Sequence, residues 1–511
     1  MDKVLALARV PASLAAEQSI HTLDELAEAA RAHRLRSLPG LNISLEYHIL
    51  RCIGELCTAG QGILMDVAHF QADEVMRWLA GHEGVERAAI VSALRRGKGL
   101  VRAVEVLAAA RDPAGVLRSF ARSSLVRESK VERAPDVNVR AEREKPSGLK
   151  FSPEGASLSQ HGALAPCEAV STLGLPVTLY AVEPDRFGAA LLNLTGSQAH
   201  LRRLKEIGDG GSAPCEEEIY HRLGLPFIPP ELREDQGEIE AARAGKLPNL
   251  ITADQIQGDL HMHTDWADGL HSIEAMAEAA RARGYRYIAI CDHSPLIEEA
   301  NGLDPVRLAA QTEEIERLNR QCSDFTILRG LEVDIRANGE LDVPDEPLRG
   351  LDVILASIHI PYGQDTETVT RRLIAAMEHP LVDIIAHPTG RLLKKPDLYT
   401  VDVDEILRAA ARTGTALEIN AGPDRLDLSA EWARRAREYG VPLVIGSDAH
   451  SVQQLAWMQF GLATARRAWL QGADVLNALP LGELQERLKR HRALSQDAKE
   501  VMRRKTETKV R

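Results

Sequence analysis

The chain has 511 residues, 44% of them hydrophobic and 27% charged, with a formal net charge of -12. This suits two or three globular domains and excludes a protein that coats nucleic acid non-specifically. No run approaches the roughly 18 apolar residues of a membrane span, MDKVLALARVPASL lacks a long apolar core before a cleavage site, and the six cysteines form no C-x-x-C pair. The expectation is a cytoplasmic protein with reduced thiols.

In chain order, residues 1–85 read as helical. The apolar spacing in TLDELAEAARAHRL and SLEYHILRCIGEL has a helical period, and LPGLN, Leu38 to Asn42, is a turn between them. Residues 86–245 mix the β-like runs AAIVSAL, VEVLAAA and PVTLYAVE with helical ones, as in an α/β domain. Within them, 118–150 is rich in Lys and Arg and poor in large apolar residues. It reads as a solvated flexible segment, or else as a strip that contacts phosphates. After KLPNLIT, Lys246 to Thr252, apolar strands alternate with amphipathic helices through 246–485, the pattern of repeated βα units. Residues 486–511 form a basic helical tail, either solvated or touching nucleic acid.

Histidines and carboxylates recur at the ends of these strands. GDLHMHTDWADG places His261 and His263 two apart, so on a strand both leave the same face, and Asp268 follows. YIAICDH ends in His293, TILRGLEVD carries Glu332, LDVILASIH ends in His359, VDIIAHP carries His387, and PLVIGSDAH carries Asp448 and His450. Successive positions are 27 to 39 residues apart, apart from the longer gap before Asp448, which holds one further strand, TALEIN. About 30 residues is one βα unit, so the polar residues gather where a β/α barrel opens its active site. One histidine at a strand end is commonly structural; nine residues at unit spacing are not. Mixed histidine and carboxylate ligands suit Zn²⁺, Mn²⁺ or Fe²⁺ better than calcium or magnesium. Nine exceed one ion's needs. Two or three ions can hold phosphate oxygens, acidify a bound water as the nucleophile and stabilise the leaving oxygen, which points to phosphate ester hydrolysis.

These residues, with Gly-Leu-Glu, Ser-x-His, His-Pro-Thr-Gly-Arg and Ser-Asp-Ala-His, resemble the polymerase and histidinol phosphatase (PHP) family from about 255 to 475. The resemblance implies a distorted seven-stranded β/α barrel with three ions. One would take His261, His263, Glu332 and Asp448; a second would share Glu332 and bind His359 and His387; a third would take Asp268, His293 and His450. Arg391, in HPTGR, is where a cation could hold the substrate phosphate, or else a surface salt-bridge residue.

EINAGPDRLDL and EEEIYHRLGLPFIPPELREDQGEIEAA look like the PHP branch joined to bacterial family X DNA polymerases. By that plan, 1–85 is a helix-hairpin-helix or fingers-like remnant, 86–245 a palm and thumb-like nucleotidyltransferase remnant, and 246–485 the PHP phosphoesterase. By the same plan the sequence is expected to begin inside the fingers with no counterpart to a lyase domain, and LPGLN to be only a fragment of a phosphate-gripping hairpin. Ser92 and Ala93 stand at the palm's Gly-Ser, Ala103 and Glu105 at its first two aspartates, Thr178 at the third, and Asn193 and Leu194 at the thumb's aromatic pair. One carboxylate cannot bridge two ions, so polymerase activity is expected to be lost. The expected role is a 3'-5' exonuclease or 3'-end phosphatase acting on DNA 3' ends in repair, with Arg95, Arg96 and Lys98 favouring DNA contact. Two alternatives are a phosphatase for a small phosphate ester or nucleotide, and a non-catalytic DNA-binding protein.

Overall fold

The computed structural model describes residues 62–131, 166–360 and 363–488, with isolated positions before 62. The helices read before residue 62, the LPGLN turn, most of the basic segment and the tail beyond 488 lie outside the described residues. The chain forms two compact units, one of Gly54–Leu247 and one of Pro248–Arg511 with Met1–Ile53. Among the described residues no helix is long and apolar enough to cross a membrane. Cys167, Cys215, Cys291 and Cys322 are free thiols.

In the first unit, β1 (Ile63–Leu64) pairs antiparallel with β3 (Leu100–Val101). Five strands form the main sheet: β2 (Val85–Ile90), β4 (Val104–Ala110), β5 (Val126–Val131), β6 (Cys167–Ser171) and β7 (Pro176–Val182), in the order β2-β4-β7-β6-β5. Of the three β-like runs read from the sequence, VEVLAAA is β4 and PVTLYAV is β7, whereas AAIVSAL gives only the end of β2 before Ser92 opens the short helix Ser92–Arg95. Only β4 and β7 run parallel. Helices Met65–Ala80 and Pro113–Ala121 pack on this sheet. The start of the basic segment is not loose as expected: residues 118–121 end a helix, and VRESKV forms edge strand β5 with Arg127 and Glu128 exposed. Charged side chains of that kind keep an open strand edge from pairing with other chains.

The second unit is a seven-stranded parallel sheet of β8 (Gly258–Asp259), β9 (Tyr287–Ile290), β10 (Thr326–Asp334), β11 (Val353–Ser357), β12 (Ile384–Ile385), β13 (Ala416–Asn420) and β14 (Leu443–Gly446), ordered by sequence from edge to edge. A parallel bridge between Met262 and Ala449 joins the segments that follow β8 and β14. The Asp448 N–H donates to the His261 carbonyl and the His263 N–H to the Ala449 carbonyl, both at 2.9 Å. The sheet therefore nearly closes into the expected barrel.

Strands β9, β11, β13 and β14 are buried along their whole length. Sheets covered on both faces need such continuous apolar runs. Alternation sorts the side chains: Tyr287, Ala289, Val353, Leu355, Ile384 and Val444 join one inner cluster, whereas Ile288, Ile290, Ile354 and Ile385 pack with the surrounding helices. The helices start where side chains can satisfy free N–H groups. Ser272, Asp304, Asp365, Asp402 and Ser429 each accept such a bond at the head of helices Ile273–Ala282, Pro305–Gln321, Thr366–Met377, Val403–Thr413 and Ala430–Glu438. Each helix carries the chain back so that every strand ends on the same face.

Candidate metal centre

All nine residues picked out by strand-end spacing meet on that face. His261 and His263 follow β8, His293 follows β9, Glu332 lies near the end of β10, His359 follows β11, His387 follows β12, and Asp448 and His450 follow β14. Asp268 comes in on the loop after β8.

Three sets of donor atoms converge. His263 Nε2 lies 3.2 Å from His261 Nε2 and 3.1 Å from Asp448 Oδ1, with Glu332 Oε2 at 3.5 and 3.6 Å from the two rings. On its other oxygen, Glu332 faces His387 Nε2 at 3.0 Å and His359 Nε2 at 3.6 Å. Asp268 reaches His450 Nε2 at 3.3 Å and His293 Nε2 at 3.7 Å. The sets overlap more than the family grouping implies, since His263 also lies with Asp268, His293 and His450, and His293 with Glu332 and His359.

The donor set fits divalent ions. Three carboxylates and six imidazoles, neutral as ligands, carry three negative charges with no lysine or arginine among them. Buried Glu332 Oε2 and His293 Nδ1, which face each other at 3.0 Å inside the cluster, make no hydrogen bond, a costly state for polar atoms unless a cation takes up the field around them. Burial opposes every charge here. Surrounding histidines nevertheless hold Glu332 and Asp448 well below the usual carboxylate range, and hold Asp268 below it too. The same carboxylates draw protons onto the rings, lifting His261 well above its usual value, His293 to about 10 and His450 to about 9. His263, buried beside His450 and His293, is pushed down to about 3. A cluster that recruits protons this strongly is poised to hold cations instead.

Backbone strain marks two of the nine. His387 and Asp448 sit at φ of 29° and 52°, conformations that persist in non-glycine residues only when neighbours hold them. The His387 carbonyl accepts from the Tyr399 hydroxyl at 3.1 Å, and the Asp448 N–H is tied to His261 as above.

Several residues at the site escaped the sequence reading. Glu418 Oε1 accepts from His261 Nδ1 at 2.7 Å, and Asp334 Oδ1 lies 3.1 Å from His359 Nδ1. Buried Asp292 accepts from Gln311 and from both the N–H and hydroxyl of Thr264, while burial pushes its carboxyl up to about 6. Carboxylates behind histidine ligands fix the ring that faces the metal. Asp292 in CDH and Asp334 in EVD each lie within two residues of a chosen position, a signal that was available. Arg425, in GPDRLDL, has a buried Nη1 without a hydrogen-bond partner, and burial works against its charge while Asp448 leads the acidic groups that raise it. Arg391 is held differently. Its guanidinium donates to the Leu426 carbonyl at 2.9 Å and its N–H to Asp427 at 3.2 Å.

In the first unit, Glu105 stands opposite Thr178 across β4 and β7, and Thr178 stands opposite Glu168 across β7 and β6. The Tyr180 hydroxyl donates to Glu105 at 3.0 Å. Glu105 and Glu168 are two strands apart, about 10 Å at ordinary strand spacing. The cations expected to favour DNA contact are engaged within the unit: Arg95 with Glu216 at 2.7 Å and with Thr195, Arg96 with Glu234 at 2.8 Å, and Lys98 with Glu234 at 3.2 Å. Among the described residues, every group of three or more side chains able to hold an ion lies in the barrel.

A nearly closed seven-stranded parallel barrel with histidines and carboxylates at its strand ends defines a PHP domain, and the PHP domain family matches residues 259–422. The DNA polymerase/3'-5' exonuclease PolX of Bacillus subtilis is 33% identical over 498 residues, covering 94% of this chain and 82% of that protein. The chain belongs to this PolX family with a C-terminal PHP domain. A protein of Thermoanaerobacter sp. strain X514, named a probable phosphatase, is 31% identical over 243 residues, 45% of this chain and 94% of that one. The solved structure of histidinol phosphate phosphatase from Lactococcus lactis, complexed with zinc, L-histidinol and phosphate, covers 41% of this chain and 94% of its own, with 19% identity and a TM-score of 0.31.

Proposed function

We propose that the barrel is a metal-dependent phosphoesterase that removes nucleotides or a terminal phosphate from DNA 3' ends, in repair, without polymerase activity. The convergence of the nine side chains on the open face of the barrel carries this reading. His261, His263, Glu332 and Asp448 would hold one ion, Glu332, His359 and His387 a second, and Asp268, His293 and His450 a third, with Zn²⁺, Mn²⁺ or Fe²⁺ suited to the donors. Such ions supply positive charge for phosphate oxygens and make water acidic enough to serve as a nucleophile near neutral pH. The chain's own residues do the rest. Glu332 presents one oxygen to each of two ligand sets and fixes their spacing. Asp334 orients the His359 ring, and Arg425, beside Asp448, supplies a guanidinium for a phosphate oxygen, with Arg391 one loop away.

The relative's name, DNA polymerase/3'-5' exonuclease, supports a DNA substrate. The absence of polymerase activity is supported by Glu105, which has Thr178 beside it and a tyrosine on its oxygen where two-ion transfer needs bridging carboxylates. The domain reading follows the same plan: 1–85 fingers-like, 86–245 a palm and thumb-like remnant, 246–485 the hydrolase and 486–511 a tail. Such a role places the protein with DNA in the cytoplasm.

A second reading, a phosphatase for a small phosphate ester, draws on the phosphatase name of the 31% relative and on the internal pairing of Arg95, Arg96 and Lys98. Assays with Mn²⁺ on 3'-end-labelled DNA and on p-nitrophenyl phosphate separate the two. The first reading expects DNA to be the better substrate by kcat/KM, and a preference for small monoesters with intact DNA ends would overturn it.

A further inference from the structure

Strand β13 is the one barrel strand that brings no member of the nine to the cluster, yet its Glu418 is wholly buried beneath it. Both carboxylate oxygens are used. Oε1 accepts from His261 Nδ1 at 2.7 Å, and Oε2 accepts from the His387 backbone N–H at 2.8 Å and from Asn420 Nδ2 at 3.2 Å. Asn420 Nδ2 also donates to Asp448 Oδ2 at 3.0 Å, while Asn420 Oδ1 is held by the Gly422 N–H. The opposite wall leaves room for this contact. A Cβ on Gly446, at the end of β14, would sit 2.1 Å from Glu418 Oε1 and 2.8 Å from the His261 Cβ.

We infer that Glu418 is a positioning carboxylate that couples two of the three ligand sets, that of His261 and Asp448 and that of His387, while making no contact with Asp268, His293 or His450. The inference rests on the reading of the cluster as a multi-ion centre. A carboxylate only accepts, so it fixes the His261 proton on Nδ1 and turns the Nε2 lone pair into the cluster. It also anchors the backbone of His387, whose φ of 29° needs outside support.

Glutamine has the same shape but one oxygen and one NH₂. Turned either way, Glu418→Gln sets a donor against a donor. With the NH₂ toward His261, the ring must move its proton to Nε2, which then points into the cluster. With the NH₂ toward His387, two N–H groups oppose and the strained backbone loses its anchor.

The test is zinc titration of metal-stripped full-length protein by calorimetry, with bound zinc counted by elemental analysis. Wild type is expected to hold at least two ions. Glu418→Gln is expected to keep one ion at wild-type affinity and to bind the rest about 10–100-fold more weakly. Gly446→Ala, which displaces the same carboxylate from the other side, is expected to give the same split. An isotherm for Glu418→Gln that matches wild type overturns the inference, as does an equal loss at every ion. Fewer than two ions in wild type would instead sink the multi-ion reading beneath it.

Discussion

Replacing Asp427 with asparagine removes a charge, but almost no volume, from the carboxylate that clamps the loop after β12. Asp427 is wholly buried and receives the Thr389 hydroxyl at 2.7 Å, the Thr389 N–H at 3.0 Å and the Arg391 N–H at 3.2 Å. Asparagine with its oxygen turned to the two backbone donors can give its NH₂ to the Thr389 hydroxyl, which accepts as well as donates, so the contacts survive but without the charge. A bond to a charged acceptor is worth about 1.5–3 kcal/mol and a neutral one about 0.5–1.5, so each of the three weakens by roughly 1 kcal/mol. Burial pushes the Asp427 pKa up against the Thr389 bonds, so neutralising it recovers part of that loss. A net cost of about 1–2 kcal/mol follows, or roughly 3–6 °C in the barrel's melting temperature. Because the same bonds seat Arg391 and the loop leaving His387, the KM for p-nitrophenyl phosphate should rise about tenfold. Thermal melts of metal-free protein and steady-state kinetics read both effects. A melting shift under about 1 °C with unchanged KM would refute the clamp.

Three further outcomes are expected. Arg425→Ala should raise the KM for the monoester by about tenfold or more with zinc content unchanged, whereas a change in zinc content alone would make Arg425 a support for Asp448. In the first unit, burial raises the Glu216 pKa but Arg95 and Arg233 outweigh it and hold it below the usual 4.5. A depressed carboxylate adds stability above its unfolded pKa and loses it as pH falls through the folded one, so this unit should weaken below about pH 4.5. Glu216→Gln should flatten that dependence; identical pH profiles would contradict the network. Templated dNTP incorporation should be absent from the purified chain, and incorporation abolished by Glu105→Ala would overturn the loss of polymerase activity.

Much of the site could be read from the sequence because a barrel converts unit spacing into convergence. Each βα unit returns the chain to one face, so residues 27 to 39 apart in sequence, such as His293 and Glu332, end 3.0 Å apart. Spacing cannot say which strand-end carboxylate faces the cluster and which backs a histidine. Glu332 and Glu418 look alike in TILRGLEVD and TALEIN, and only the fold shows Glu418 behind His261. The bonds of Arg95 were equally hidden, since its partner Glu216 is 121 residues away and no local pattern ties them. The positive φ at His387 and Asp448 left no trace either, because neither residue type announces it. For the sheet of the first unit, apolar runs sufficed for β4 and β7, while AAIVSAL ran on from β2 into a helix at Ser92 and the charged VRESKV read as solvated because an edge strand exposes much of its surface.

If the barrel hydrolyses phosphate esters with metal held by the nine residues, hydrolysis must follow metal loading and fail when a ligand is removed. Full-length protein should be stripped of metal, reloaded with Mn²⁺, and given 3'-end-labelled DNA and p-nitrophenyl phosphate beside its Asp448→Ala and His359→Ala variants. At least two ions per wild-type chain are expected, with release of nucleotide or phosphate only after reloading and loss of that release in both variants. Hydrolysis that survives both substitutions, or persists in the stripped protein, would contradict this role for the nine residues.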